Sequence, residues 1–323
     1  MKAMAMASWA ANEPLRPVEL PAPAVGPRDV RVAVKFAGVN PVDWKMRSEG
    51  PLRLAARLLA PPPPVVLGVD FAGIVAEIGS AVTSVKLGDR VVGGTDFSRG
   101  QRGSLADTVV VRADQVTHVP ETVPLDVAGA LPIAGVTAWR AVVELGRIIA
   151  GKRVLILGAS GGVGQLAVQV AKHVQHAFVA GVCSAKNVEL VKSLGADAVI
   201  DYGAGDPLDQ ARALGPFDAV IDCVGGYAGG RCRALLGANG RHVMVSPHTP
   251  DEFVQLALAP FTTRTLLGRV DGAAIRPILG AVAAGQVQVR ITDRFPLERA
   301  EDAHRLSQAG RATGKIVIEV GEE

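Results

Sequence analysis

The chain has 323 residues, 49% of them hydrophobic and 20% charged, which supports about two folded domains and excludes a disordered polypeptide. Net charge is only +3, from 34 basic against 31 acidic residues, and aromatics are 4%, so the basic stripe with interleaved aromatics of a nucleic-acid binder is missing. No apolar run reaches the ~18 residues needed to span a bilayer, and Met1 to Ala10 lacks the apolar core of a signal peptide, so a cytoplasmic protein without membrane attachment is expected.

Residues 1–123 read as strands and turns. Asp29 to Val39 alternates, with Val30, Val32, Val34 and Phe36 on one face, as a half-buried strand does. Pro51 to Pro64 is unusual: Leu52, Leu54, Leu58 and Leu59 alternate with Arg53 and Arg57 before four prolines, as in a short apolar helix that lids a bulky substrate or in a packed connector. Val69 to Ile78, Arg90 to Val92 and Leu105 to Val111 add further strands, punctuated by glycines.

From Pro124 the period changes. Asp126 to Gly146 reads as a helix capped by Asp126. Strands then alternate with helices: Arg153 to Leu157, Ala177 to Cys183, Ala198 to Ile200, Asp218 to Cys223 and Arg241 to Val245 are strands, while Val163 to Val174, Asn187 to Leu194 and Gly229 to Leu236 are helices. That alternation predicts a parallel sheet over residues 124–259. Beyond Pro260 the pattern loosens until a short helix, Ala300 to Gln308, and a last strand, Lys315 to Val320.

Arg153 to Leu157 runs into Gly158-Ala159-Ser160-Gly161-Gly162-Val163-Gly164 and then a helix. Such a turn needs small residues for tightness and close backbone approach, and the helix start offers free N–H groups to a pyrophosphate. Ala159, Gly161 and Gly164 fill the three glycine positions. Dinucleotide binding follows. An NAD site wants an acid at the end of the next strand, yet none occurs between Gln165 and Val188. The strand ends instead in Ser184 and Lys186, a hydroxyl and a cation suited to a 2′-phosphate, with Tyr202 after the following strand. NADPH is the expected cofactor, although Lys186 alone also fits a solvated surface lysine. Val224 and Ser246 follow parallel strand ends, where ligands sit in open sheets.

Three cysteines, Cys183, Cys223 and Cys232, form no disulfide framework, and Cys183 and Cys223, each at the end of an apolar run, read as small buried hydrophobes. Only two tyrosines, Tyr202 and Tyr227, and six histidines are available for acid catalysis or metal binding.

Several stretches together resemble the medium-chain dehydrogenase/reductase superfamily, in its zinc-free quinone oxidoreductase and enone (alkenal) reductase branch: Ala37 to Arg47 (AGVNPVDWKMR), Gly68 to Gly73 (GVDFAG), Lys86 to Val92, Ala130 to Trp139, Ala159 to Gly164, Gly195 to Tyr202, Pro296 to His304 and Thr313 to Ile318. The resemblance implies a GroES-like β domain from residues 1–123 and 260–323, and a doubly wound Rossmann domain at 124–259, with nicotinamide and substrate between them. Where the zinc enzymes carry Cys and Gly-His-Glu, this chain has Val39-Asn40-Pro41 and Gly68-Val69-Asp70, so no metal is expected. The implied activity is NADPH-dependent hydride transfer to a quinone or to the C=C bond of an α,β-unsaturated carbonyl, by a homodimer paired through Thr262 to Val270. The alternatives are a non-catalytic NADPH-binding scaffold and a dedicated biosynthetic enoyl-type reductase. Many relatives place a tyrosine where this chain has Lys45. Lys45 and Asn40 are the catalytic candidates: Lys45 to hold the substrate oxygen or a cofactor hydroxyl, or else a surface lysine; Asn40 to meet the nicotinamide ribose, or else a turn cap before Pro41. Asp43 is a partner for Lys45 or a helix-start acid. By the same resemblance Thr137 faces the nicotinamide and Arg311 reaches a cofactor phosphate.

Overall fold

In a computed structural model of the chain, describing residues 1–245, 254, 262–265, 270–310 and 312–321, the alternating segment Asp29–Val39 forms the long strand β3, numbered in chain order throughout. Its first half points Val30, Val32 and Val34 into a core with Phe71, Val75, Val91, Val109 and Val111. The pairing then slips by one residue between Val34 and Phe36, where β3 meets β5 (Asp70–Ile78). A bulge of this kind moves later side chains to the other face. Ala37 and Val39 accordingly enter a second core, and the predicted face ends at Val34 rather than Phe36.

The chain forms two compact units, Met1–Ile133 with Arg269–Ala283 and Val289–Glu323, and Ala134–Gly268 with Ala284–Gln288. In the first unit, among the described residues, β3 and β5 belong to a seven-stranded sheet with β6 (Arg90–Gly94), β7 (Thr108–Arg112), β8 (Val116–His118), β15 (Ile291–Pro296) and β16 (Lys315–Glu319). The last strand, β16, lies antiparallel on β3 with Ile316 opposite Val39 and Ile318 opposite Ala37. Both ends of the sequence therefore build one GroES-like unit. A smaller sheet joins β1 (Lys2–Met6) to β2 (Arg16–Glu19) and β4 (Val65–Val66).

In the second unit all pairs are parallel, in the order β11 (Ala198–Asp201), β10 (Phe178–Cys183), β9 (Arg153–Leu157), β12 (Phe217–Asp222), β13 (Leu236–Met244) and β14 (Thr263–Thr265). Counted from β9, that is the doubly wound Rossmann order, with its switch point between β9 and β12. Leu155, Ile156 and Leu157 are fully buried, as strands covered on both faces require.

The helix expected from Asp126 to Gly146 is three segments. α3 is Leu125–Gly129, capped by Pro124 rather than Asp126, and α4 is Pro132–Trp139. Pro132 cannot donate into the preceding turn, so the chain restarts there. A π-helical stretch, Arg140–Leu145, follows. The helix at Gly229 stops at Arg233, and the helix Gly272–Ala283 has no counterpart in the sequence reading.

The two chain ends are also tied by Arg47. Its guanidinium donates to Glu301 Oε2 at 2.7 Å, to the Glu13 carbonyl at 2.7 Å and to His304 Nδ1 at 3.2 Å. His304 is buried in the helix Ala300–Gln308. Burial, with the neighbouring Arg47 cation, pushes its pKa down to about 3. An unfolded histidine takes up a proton near pH 6.5, whereas the folded one does not until about pH 3. Between those values the unfolded state binds more protons, so stability falls as pH falls. The destabilisation caused by His304→Gln, read from urea unfolding, is expected to shrink by about 1.4 kcal/mol per pH unit from pH 6 to pH 5. A gap that stays constant with pH contradicts a neutral buried His304.

Candidate active site

In the second unit the glycine-rich turn is built for close approach. Gly158 takes φ +76°, and a Cβ there would meet Val224 Cγ2 at 2.5 Å. A Cβ on Gly164 would lie 2.1 Å from the Gly158 carbonyl oxygen. Only glycine at both positions lets helix α5 (Gly162–Gln169) come down on the end of β9. Gly161 is the N-cap, and a Cβ there would meet nothing nearer than the Gly158 oxygen at 3.4 Å, so the turn is open on that side. The first amides of α5, from Gly162, Val163 and Gly164, have no helical carbonyl behind them. An open cradle of backbone donors at a helix start fits a pyrophosphate.

The neighbouring strand end is fastened to this turn. The Ala159 N–H donates to the Val182 carbonyl at 2.9 Å. Asn187, a buried side chain not singled out in the sequence, donates from Nδ2 to Ser160 Oγ at 3.0 Å and to Ser184 Oγ at 3.3 Å. Nothing in the run Cys183-Ser184-Ala185-Lys186-Asn187 marks it, because its partner Ser160 lies on another segment. Strands β10 and β11 pair with Cys183 opposite Asp201, which sets Ser184 and Tyr202 at adjacent strand ends. Lys186 and Tyr202 are exposed there. The Asp201 carboxylate accepts the Gly203 N–H at 2.8 Å. After β12, the buried Asp222 accepts from the amides of Val224 and Gly225 at 2.9 and 2.8 Å, fixing the loop that covers Gly158. Thr137 is half-buried on α4. Ser246 and Arg311 lie outside the described residues. All three thiols are free, and burial raises the pKa of each.

In the first unit the Asn-Pro-Val corner is a closed polar knot. Asn40 ends β3 and caps α1 (Pro41–Lys45). It is 2% exposed, and both ends of its amide are engaged: Nδ2 donates to Asp70 Oδ2 at 2.8 Å, and Oδ1 accepts from Lys315 Nζ at 2.5 Å. Lys315 also donates to the Val39 carbonyl at 3.2 Å and stands 3.9 Å from Asp70 Oδ2. Asp70 Oδ1 accepts the Ile133 N–H at 3.0 Å. Asp43 Oδ2 accepts the Asn40 N–H at 2.7 Å, which makes Asp43 the helix-start acid. Burial pushes the Asp43 carboxyl up to about 7 and that of Asp70 to about 6, and it lowers the Lys315 ammonium. Asp70 and Lys315 were quoted in motifs, but their contact is invisible until β16 is laid on β3. Lys45 is half-buried at the end of α1, its ammonium 5.8 Å from the Trp44 ring centroid, while Trp44 Nε1 donates to Ser307 Oγ at 3.2 Å.

The profile described as "Alcohol dehydrogenase GroES-like domain" matches residues 26–121, and that described as "Zinc-binding dehydrogenase" matches 194–318. The chain is 34% identical to the chloroplast envelope quinone oxidoreductase homolog of Arabidopsis thaliana, covering 94% of each chain. The chain is a medium-chain dehydrogenase/reductase, and thus an oxidoreductase. A mitochondrial NAD(P)H oxidoreductase of Homo sapiens is also 34% identical, over 91% of this chain and 82% of that one. The solved quinone oxidoreductase from Coxiella burnetii superposes with TM-score 0.88 at 30% identity, covering 99% of each chain. This dehydrogenase/reductase does not suit a zinc ion at the corner. Asp70 is committed to an amide and lies beside a lysine ammonium, a neighbour that opposes a second cation, and no metal-holding group of His, Cys, Asp and Glu occurs among the described residues. No helix there is long and apolar enough to cross a membrane.

Gly164→Ala places a methyl 2.1 Å from a carbonyl oxygen, so α5 must shift. We expect a stability loss of about 1–3 kcal/mol in thermal melts. Dinucleotide affinity, by fluorescence titration, should fall at least about tenfold, the equivalent of roughly 1.4 kcal/mol of lost binding. Unchanged affinity contradicts the turn as the pyrophosphate cradle.

Proposed function

We propose that the protein is an NADPH-dependent reductase that works without a metal and delivers hydride to quinones or to the C=C bond of α,β-unsaturated carbonyls. The observation that carries the cofactor choice is the β10 end: Ser184, fastened to the glycine turn through Asn187, and the exposed Lys186, with no acid from Gln165 to Val188. A ribose 2′-hydroxyl calls for an acceptor, whereas a 2′-phosphate calls for donors and positive charge. The printed names of the relatives, quinone oxidoreductase and NAD(P)H oxidoreductase, support the same reading.

Residues 1–123 and 260–323 then serve as the substrate domain and 124–259 as the cofactor domain. Ala159, Ser160, Gly161, Gly162, Val163 and Gly164 hold the pyrophosphate. Ser184, Lys186 and Tyr202 surround the adenosine phosphate, and Val224 and Thr137 border the nicotinamide end. Ser246 and Arg311 complete the set from outside the described residues. We place the enzyme in the cytoplasm as a homodimer paired through the 262–270 segment, of which 266–269 also lie outside the described residues.

When bound, the reduced nicotinamide supplies the hydride. The chain must orient the acceptor, stabilise the negative oxygen that develops on it, and let a proton reach carbon. Lys45, at the end of the helix that leaves the Asn-Pro-Val corner, takes the oxygen. Asn40, with its amide nitrogen spent on Asp70, retains one lone pair on Oδ1 for a ribose hydroxyl. Water supplies the proton. An apolar acceptor is favoured by helix α2 (Pro51–Leu59), which turns Arg53 inward to the Trp9 carbonyl at 2.6 Å and leaves Leu54 and Leu58 61% and 78% exposed. That inverted arrangement suits a cover over a greasy substrate.

Lys186→Ala should weaken NADPH binding by about 10–150-fold, the loss of one charge-assisted contact, and leave NADH binding little changed. Titration with both cofactors decides it, and an equal loss for both removes Lys186 from the 2′-phosphate. Lys45→Ala should lower kcat on a small vinyl ketone by about 10²–10³, while Tyr227→Phe changes it little. NADPH binding without oxidation, across quinones, alkenals and enones, would instead leave a non-catalytic scaffold.

A further inference from the structure

We propose that Lys315 is a positioning residue of the reductase: from the final strand it locks the Asn40 amide, and through it the corner that carries Lys45, in one orientation. The inference rests on the reading of Asn40 and Lys45 given above. Strand register brings Lys315 there, because Ile316 opposite Val39 puts the preceding residue of β16 beside Asn40. A primary amide can be turned end for end at little cost in water. Here a turned amide would aim its NH2 at the Lys315 ammonium and its oxygen at the Asp70 carboxylate, two repulsions in place of two hydrogen bonds.

The lock reaches further. Asp43 fixes the backbone N–H of Asn40 and thereby the first turn of α1, at whose end Lys45 sits. The second oxygen of Asp70 accepts the Ile133 N–H at the start of α4. One lysine therefore holds a knot that reaches the first turns of two helices. Stability does not explain it, since well-packed apolar side chains usually match or exceed a buried ion pair. What apolar packing cannot supply is a fixed direction for an amide.

The knot also carries a charge mismatch. Asp43 and Asp70 face a single ammonium, Lys315, and Asp43 Oδ1 is buried with no hydrogen-bond partner. Against burial, Lys315 and then the Asn40 and Ile133 hydrogen bonds favour ionised Asp70, and protonation of Asp70 as pH falls should loosen its grip on Asn40.

The test uses the full chain with Lys315→Met, Asn40→Ala, their double variant and Asp70→Asn. First, hydrogen exchange is followed in the protein without added nucleotide. Lys315→Met should speed exchange of the 40–47 amides at least tenfold and leave the β9–β12 amides unchanged. Second, with NADPH and a vinyl ketone, Lys315→Met should lower kcat 10–100-fold. Adding Asn40→Ala should cost little more, because both changes act through one amide. Third, the wild type should lose activity as pH falls through the range in which Asp43 and Asp70 take up protons, and this acid limb should move to higher pH in Lys315→Met, which removes the cation both carboxylates face, and to lower pH in Asp70→Asn, where Asp43 is relieved of the Asp70 charge. Asp70→Asn carries the test if Lys315→Met does not fold. Unchanged exchange at 40–47, multiplied losses in the double variant, or an acid limb that stays in place in the variant that folds each overturns the proposal. A wild type inactive on every acceptor fails the reductase reading, while the exchange result still judges the lock.

Discussion

A lysine ammonium buried against an asparagine amide 275 positions away in the chain ties the last strand of the first unit to its Asn-Pro-Val corner. The contact exists because β16 closes on β3, and β16 can close there only if its leading residue finds partners for a charge that it takes out of water. Asn40, Asp70 and the Val39 carbonyl are those partners. The same pairing completes the core shared by Ala37, Val39, Ile316 and Ile318. Chain closure and the shape of the Asn-Pro-Val corner are thus one event. A GroES-like unit built from both chain ends goes with it, and Ala134–Gly268 with Ala284–Gln288 forms the other compact unit.

The second unit solves a different problem. A dinucleotide's pyrophosphate must approach backbone amides, so bulk has to be removed rather than charge supplied. Gly158, Gly161 and Gly164 remove it, and Ser160, Asn187 and Ser184 join the turn to the next strand end with neutral hydrogen bonds. The one cation of that strand end, Lys186, stands exposed at the rim. The two units are thus built differently: neutral backbone and small residues at the glycine turn of one, a buried polar knot of charged side chains in the other.

Most of this architecture was legible in the sequence, because local periods carry it. The alternation of Asp29–Val39, the strand–turn–helix at Arg153–Gln169 and the βαβ rhythm after it all survive in the structure. What was not legible is long-range or against propensity. The bulge in β3 depends on its partner β5. The strand Lys2–Met6 is alanine and methionine, poor strand formers that tertiary pairing overrides. The helix Gly272–Ala283 contains Pro277 and two glycines, which masked the buried spacing of Ile275, Ile278 and Leu279. In the site, the glycine turn and the Ser184/Lys186 end were readable from their order. Asn187 and the Lys315–Asn40–Asp70 knot were not, since each is a meeting of segments and not a motif.

On the function proposed above, this fold delivers hydride from NADPH to carbon or to a quinone without metal assistance. Isotope transfer tests it most directly. With 4-deuterated NADPH, an enone and a chelator present, the product should carry one deuterium at the β-carbon, from one face of the nicotinamide only, and its α-proton should come from solvent. A product without deuterium at the β-carbon, or turnover abolished by the chelator and restored by zinc, contradicts the account.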